Sequence, residues 1–326
     1  MGQVQRRQFL IASGGLALLP TAARSQRTNK FARIGWLSTA GDAATAVPFE
    51  SFRSGLRERG WTEGDNLVIE TRVGAPAKAA ELAAELLQAN VELIVAPGAM
   101  LFGARGVVGA TPMVFGINGD PVKAKVVASL ARPGGNLTGI TALSEELSAK
   151  RLELLKEVAP GAKRFAAIAN QEHPGVGVEF EATHAAARRL GLALKWQPVY
   201  SASEFGAAFE AIAGEGAQAL AAIPDGLMMS QAKAVAEFTV ARRIPAISGW
   251  AEFVEAGNLM SYGPSRRGWY RHMSVYADKL LRGAKAADLP VEQPTEFELV
   301  VNQRTARAIG LKIPQSILLR ANRMIE

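Results

Sequence analysis

The sequence predicts an α/β protein of two Rossmann-like lobes, each a parallel sheet with helices on both faces. Three observations lead there. From Arg33 onward, short apolar runs ending in glycine, serine, asparagine or proline alternate with longer amphipathic runs, the pattern of strands and helices in turn. Near Glu145 the alternation restarts in much the same order, without obvious sequence identity to the first set. The chain has 326 residues, long for one core and ample for two. Hydrophobic residues make up 48% and charged residues 21%, a globular balance that excludes a disordered chain.

In the first set, Arg33 to Leu37 is a short apolar strand closing at Ser38-Thr39-Ala40-Gly41. Phe49 to Arg59 places Phe52 and Leu56 on one helical face and stops at Gly60. Asn66 to Arg72 alternates as a strand, and Ala77 to Ala89 is an alanine-rich helix with Leu82, Leu86 and Leu87 inward. Val91 to Ala96 is a buried strand ending at Pro97-Gly98-Ala99, followed by a glycine-spaced helix. The stretch from Pro112 to Thr141 then organises the rest of the chain. Met113 to Phe115 is a strand that turns through Gly116, Asn118 and Gly119. Asp120-Pro121 supplies an N-cap with proline at the first helical position, so a short helix is expected over Val122 to Leu130. Arg132-Pro133-Gly134-Gly135 stops it, and Asn136 to Thr141 reads as an extended passage into the second lobe.

In the second set, Glu145 to Val158 is an amphipathic helix carrying Leu147, Leu152 and Leu155. Arg164 to Ala169 is a strand ending at Asn170, Gly177 to Leu190 a helix, and Leu192 to Val199 a strand. Ser203 is expected to cap a helix running to Ala213, and Ala217 to Ile223 is a strand ending at Pro224-Asp225. Gln231 to Arg242 is a helix, and Ile244 to Ile247 a strand ending at Ser248-Gly249-Trp250. The remainder is a short strand over Leu259 to Gly263, a long helix over Arg266 to Arg282, a strand over Phe297 to Val301 and a helix over Thr305 to Ile309. That is too little for a third domain. It suits a chain that alternates between lobes, with 31–140 plus 264–290 in one and 141–263 plus 291–326 in the other. Gly135, Gly139 and the Leu259 to Gly263 segment are the expected hinge positions.

Residues 1–25 have the three parts of an export signal: Arg6-Arg7-Gln8-Phe9-Leu10, the apolar Ile11 to Leu19, and small residues at Ala23-Arg24-Ser25. The paired arginines followed by Phe-Leu follow the twin-arginine pattern. The apolar stretch is too short to span a bilayer, so an exported, soluble protein is expected. The formal net charge is +7; losing Arg6, Arg7 and Arg24 leaves 7 − 3 = +4. No basic run marks a nucleic-acid surface, and none is expected as a partner. Cysteine is absent, which excludes disulfides, thiolate metal sites, a cysteine nucleophile and an N-terminal lipid anchor.

Enzymatic machinery does not stand out. There is no G-x-G-x-x-G fingerprint, no phosphate-binding G-x-x-x-x-G-K-[ST] loop and no G-x-S-x-G elbow. His173, His184 and His272 are scattered, so neither a metal nor a cofactor is expected. Glu145-Glu146 is a charged first turn rather than a carboxylate pair, because neighbours on a helix diverge. What remains is a set of small and polar residues at strand ends: Ser38, Thr39, Gly98, Ala99, Gly116 and Asn118 in one lobe, Asn170, Asp225, Ser248 and Trp250 in the other. Strand ends of doubly wound sheets converge on a crevice where ligands sit, although such residues are also ordinary turn formers. Trp250 and Tyr262 have two readings, stacking on a flat ligand or packing at the hinge. Asp225 either pairs with a ligand amine or caps the following helix; Asp120 reads as a cap.

Several strings carry a family resemblance. Gly119-Asp120-Pro121-Val122, Val127 to Gly139 (VASLARPGGNLTG), Lys150 to Glu157 (KRLELLKE), Glu252 to Gly257 (EFVEAG), Leu259 to Pro264 (LMSYGP) and Leu289 to Thr295 (LPVEQPT) resemble a group of bacterial ABC-transporter substrate-binding proteins that includes the tryptophan/tyrosine-type binding proteins. The resemblance runs from Arg33 to Glu326. It implies a type I periplasmic-binding fold with three hinge crossovers, and a monomer that delivers a small molecule to a membrane permease with an ATPase partner. An aromatic amino acid or another small carboxylate is the implied ligand class. The resemblance further implies a carboxylate held by Ser38, Thr39, Gly98 and Ala99, with Asn170 and Asp225 on the opposite lobe and Phe115, Met228 and Trp250 as an apolar wall. Ala99 and Met100 stand where a more polar pair is common in the family. The alternatives are a ligand-sensing domain or an enzyme using the same cleft.

Overall fold

The computed structural model describes residues 31–39, 46–142 and 144–326, and for 144 and 145 the backbone only. The export-signal segment, the Ala40-Gly41 turn and the Glu145 side chain lie outside what is described. The first sheet is assembled from β1 (Ala32–Thr39), α1 (Val47–Arg57), β2 (Leu67–Gly74), α2 (Ala79–Gln88), β3 (Leu93–Pro97), α3 (Met100–Ala104), β4 (Met113–Ile117) and β5 (Leu137–Thr141). Its strand order is β2-β1-β3-β4-β5, and every pairing is parallel. Alternation along β1 divides the core: Ile34 and Trp36 face Phe52 and Leu56 of α1, while Leu37 joins Ala83 and Leu86 of α2 on the other face.

The second sheet follows with α4 (Ser144–Val158), β6 (Arg164–Asn170), α5 (Val176–Arg189), β7 (Ala193–Val199), α6 (Phe205–Gly214), β8 (Ala219–Ala222), α7 (Gly226–Ser230), α8 (Ala232–Arg242), β9 (Ala246–Ser248), α9 (Ala251–Glu255) and β10 (Met260–Pro264). Then come α10 (Arg266–Leu281), β11 (Phe297–Asn302), α11 (Gln303–Ala308), α12 (Gln315–Arg320) and β12 (Arg323–Ile325). The order is β12-β11-β10-β9-β8-β6-β7, parallel except where β11 runs against β10. The winding β7-β6-β8-β9-β10 repeats that of the first sheet. The α/β architecture of two parallel sheets is therefore the one the sequence predicts. The short α7, α9, α12 and β12 have no periodic signal and were not expected.

Two local expectations fail. Residues 122–130 do not form a helix. Asp120 does cap, its Oδ1 accepting from Val122 N at 2.8 Å, but only one turn follows before Lys125 enters the left-handed region at φ 53°. Arg105 Nη1 donates to the carbonyls of Ala124 and Lys125 at 3.3 and 3.2 Å, taking acceptors that a continuing helix would need. Ser203 is not the cap of α6 either. Glu204 Oε2 accepts from Tyr200 N at 3.1 Å, and a 3-10 turn over Ala202–Glu204 precedes the helix.

Among the described residues the chain passes between the sheets three times: after β5, after β10, and on the return to β11. In between, α10 packs on the first sheet, with Trp269, Tyr270, Met273 and Tyr276 in the core that holds Trp36 and Phe52. The first and third passages lie side by side, Thr141 N donating to Glu292 O at 2.9 Å and Glu292 N to Gly139 O at 3.1 Å. Gly139 has φ 154°, and a Cβ placed there would lie 1.9 Å from Phe115 O on β4. Gly135, before β5, meets nothing within 4 Å. Gly139→Ala should therefore lower the unfolding free energy by about 3 kcal/mol or more in urea titrations, while Gly135→Ala changes it by less than about 1 kcal/mol. Equal midpoints for the two variants would refute this account of the β4–β5 contact.

Candidate functional site

Both sheets reverse their winding at corresponding points, between β1 and β3 in one and between β6 and β8 in the other. At such a point neighbouring connections leave in opposite directions and a crevice opens beyond the strand ends. The structure sets the two crevices against one another around a cavity of about 460 Å³, within the range of small-molecule sites. Thr39, Gly98 and Ala99 line it from the ends of β1 and β3, and Gly116 and Asn118 from the end of β4. Asn170 and Asp225 face them from the ends of β6 and β8, and Trp250 from the end of β9. These eight sequence candidates are thus brought together.

The other five are not. Ser38 is 1% exposed and lines a small separate pocket with Trp36 and Phe49. The side chain of Phe115 alternates away from the cavity into the core beside Leu37 and Ala96, and Met228 is sealed under α7 against Val199 and Phe253. Tyr262 packs against the cores of both lobes and stacks on Phe297, 6.2 Å between ring centroids, which favours the hinge reading over ligand stacking. It lines a different groove, with Gln293 and Pro294. Ser248 is likewise fully buried.

The apolar wall comes instead from α10. Trp269 and Tyr270 line the cavity with Trp250, and Arg266 lies between, its Cζ 5.0 Å from the Trp250 ring centroid and 5.7 Å from that of Tyr270. The lack of a side chain at Gly116 matters here: a Cβ would sit 2.7 Å from Trp269 Nε1. Sequence reasoning treated Arg266 to Arg282 only as a long helix. Its signal was the aromatic pair Trp269-Tyr270 within the first turns after a crossover.

Polar groups are spent on shaping the cavity. Asp225 does two jobs: Oδ1 caps α7 by accepting from Met228 N at 2.7 Å, and Oδ2 accepts from Asn170 Nδ2 at 2.6 Å. Asn118 Nδ2 donates to Pro224 O at 2.9 Å, a hydrogen bond that runs from one lobe to the other. His173, which sequence reasoning set aside, also lines the cavity, and its Nε2 is 3.3 Å from Oε2 of the fully buried Glu179. Burial disfavours the imidazolium, but the charge and contact of Glu179 and the charge of Asp225 outweigh it, so the His173 pKa is raised. Behind Glu179, burial lowers the Arg151 guanidinium to about 10 against the opposing field of Glu179, still cationic at neutral pH. Arg151 Nε donates to Tyr262 O at 2.8 Å, tying this group to β10. Among the described residues there is no group of three or more histidine, aspartate or glutamate side chains placed to hold a metal ion, and no helix long and apolar enough to cross a membrane.

Comparison with known proteins places this geometry. A tyrosine-binding protein of Clostridioides difficile (strain R20291) is 26% identical over 269 residues, 81% of this chain and 76% of the relative. A conserved domain protein from Vibrio cholerae O1 biovar El Tor superposes with a TM-score of 0.84 at 25% identity, covering 90% of this chain and all of that one. The ABC domain from Streptococcus pneumoniae, crystallised in complex with L-Trp, superposes with a TM-score of 0.83 at 24% identity over the same shares. The two-lobed architecture is that of the type I periplasmic-binding proteins. The model of the family described as ABC transporter substrate binding protein matches residues 40–325, nearly the whole of the described chain, and the protein belongs to that family.

Proposed function

We propose that this chain is the exported solute-binding component of an ABC uptake system, which takes a small molecule into the interlobe cavity and presents it to a membrane permease with its ATPase. The observation that carries the proposal is the cavity at the paired switch points, with walls from both lobes. A ligand there touches both lobes only when they are together, so binding favours closure. The moving bodies are 31–140 with 264–290 and 141–263 with 291–326, and the Asn118–Pro224 hydrogen bond belongs to the closed arrangement.

The cavity's chemistry suits an aromatic amino acid or a related small carboxylate. Trp250, Trp269 and Tyr270 offer ring faces, and Asp225, Glu172, His173 and Arg266 supply both signs of charge, as a zwitterion needs. The L-Trp and tyrosine named for similar proteins support the same class. The arginine-pair segment before Gln26 supports export to the periplasm. The protein acts as a monomer, without nucleic acid, and releases its ligand unchanged.

A thermal-unfolding screen of residues 26–326 against amino acids, aromatic acids, sugars and purines tests this. L-tryptophan or L-tyrosine at a hundred times its dissociation constant adds about 2.7 kcal/mol, several degrees in the midpoint. No shift with any compound, or appearance of a chemically altered product, would refute the proposal. Trp250→Ala should weaken binding of the hit roughly tenfold or more in calorimetry, with the loss in affinity rather than in fold. Asn118→Ala removes the lobe-to-lobe hydrogen bond, worth about 1 kcal/mol, and should weaken affinity about fivefold while enlarging the radius of gyration of the unliganded protein in X-ray scattering. An unchanged radius and affinity would show that this bond has no part in closure.

A further inference from the structure

The charge on His173 is set from behind the cleft wall. After β6 the chain turns sharply, His173 N donating to Asn170 O at 3.2 Å and Val176 N to His173 O at 3.0 Å. The turn leaves the side chain 9% exposed, lining both the main cavity and a contiguous side cavity of about 180 Å³. Nε2 lies 3.3 Å from Glu179 Oε2, close enough for the two charges to act on each other although the pair does not have hydrogen-bond geometry. Glu179 is wholly withdrawn from water, and a buried carboxylate without a cation beside it is strongly unfavourable. Its second neighbour, Arg151, is itself buried and fixed to Tyr262 O. The carboxylate behind the ring therefore favours the imidazolium, at a side chain that lines the space where ligand enters.

We propose that the imidazolium of His173, held from behind by Glu179, receives the carboxylate of the ligand and makes the cleft selective for carboxylates over the corresponding amines. This rests on the reading of the cavity as a small-molecule site. Charged groups face the ring from several elements. Glu179 approaches from α5 with Arg151 of α4 beyond it, and Asp225 from the β8–α7 connection. Glu172 belongs to the same turn, Asp120 and Lys123 face the side cavity from the other lobe, and Arg266 faces the main cavity from α10. Histidine is the side chain whose ordinary pKa lies closest to neutrality. Because its folded pKa is raised, the attraction is complete below the ordinary imidazole value and is lost as pH rises through the raised one.

The test is calorimetric binding of indole-3-propionate, which has a carboxylate and no amine, and of tryptamine, which has the reverse, from about pH 6 to about pH 10. For wild type, the dissociation constant of indole-3-propionate should rise by up to about tenfold per pH unit above the imidazolium titration, while tryptamine binds more weakly at the acid end and shows no such rise. His173→Gln should bind indole-3-propionate at least about tenfold more weakly near pH 6 and with a flat profile. Glu179→Gln should move the onset of the loss to lower pH. In NMR, saturation with indole-3-propionate should raise the midpoint of the His173 imidazole resonance. A wild-type pH profile retained in a folded His173→Gln protein, or an unmoved resonance midpoint, overturns the assignment alone. Failure of wild type to bind either compound or L-tryptophan at any pH overturns the reading of the cleft on which it rests.

Discussion

The structure depends on the parallel winding of each sheet and the point at which it reverses. A strand order of β2-β1-β3-β4-β5 sends the connection from β1 to one side and that from β3 to the other. Nothing can cover the carboxyl ends of those two strands, and the backbone there must turn in the open. The second sheet repeats the winding and has the same gap between β6 and β8. Three passages of chain hold the two sheets so that one gap closes the other. The cavity follows from topology before any side chain is chosen, and Thr39, Gly98, Asn170 and Asp225 line it because they are the residues at those ends.

The passages constrain the rest. Gly139 and Glu292 bond across the first and third of them, and Tyr262 on β10 touches the cores of both lobes. Arg151 reaches from α4 to the carbonyl of Tyr262. Across the cleft at the strand ends, Asn118 Nδ2 donates to the carbonyl of Pro224.

Burial also explains the charge distribution. Arg151, Glu179 and Arg266 are all nearly or wholly buried, a cost accepted where a charge fixes a geometry that apolar groups cannot. Arg266 lies over the faces of Trp250 and Tyr270, whose ring electrons attract a cation. His173 has the opposite surroundings, anions on its flanks that raise its pKa.

Much of this was legible without coordinates. Strand and helix periodicity located β1 to β10 and the long α10, because burial of one face imposes a period that sequence must obey. Glycine, asparagine and aspartate at Gly98, Gly116, Asn118, Asn170 and Asp225 marked strand ends, and through the rule for doubly wound sheets they marked the cleft. The run from Val122 to Leu130 misled, since its fate turned on Arg105 taking two carbonyls 19 and 20 residues away. Phe115 and Met228 were misplaced because a residue beside a strand end points into the cleft or into the core according to pleat and helix rotation, a difference of one position. Trp269, Tyr270 and Arg266 were missed because they enter the cavity from a helix that follows a crossover, and His173 because the groups that raise its pKa, Glu179 and Asp225, lie six and more than fifty residues away. By itself, then, the sequence determined the elements, their repeat and the strand-end positions, all of which depend on neighbours along the chain. The tertiary structure decided which side chains share the cleft and what charge they carry, because those depend on distances across space that local pattern does not encode.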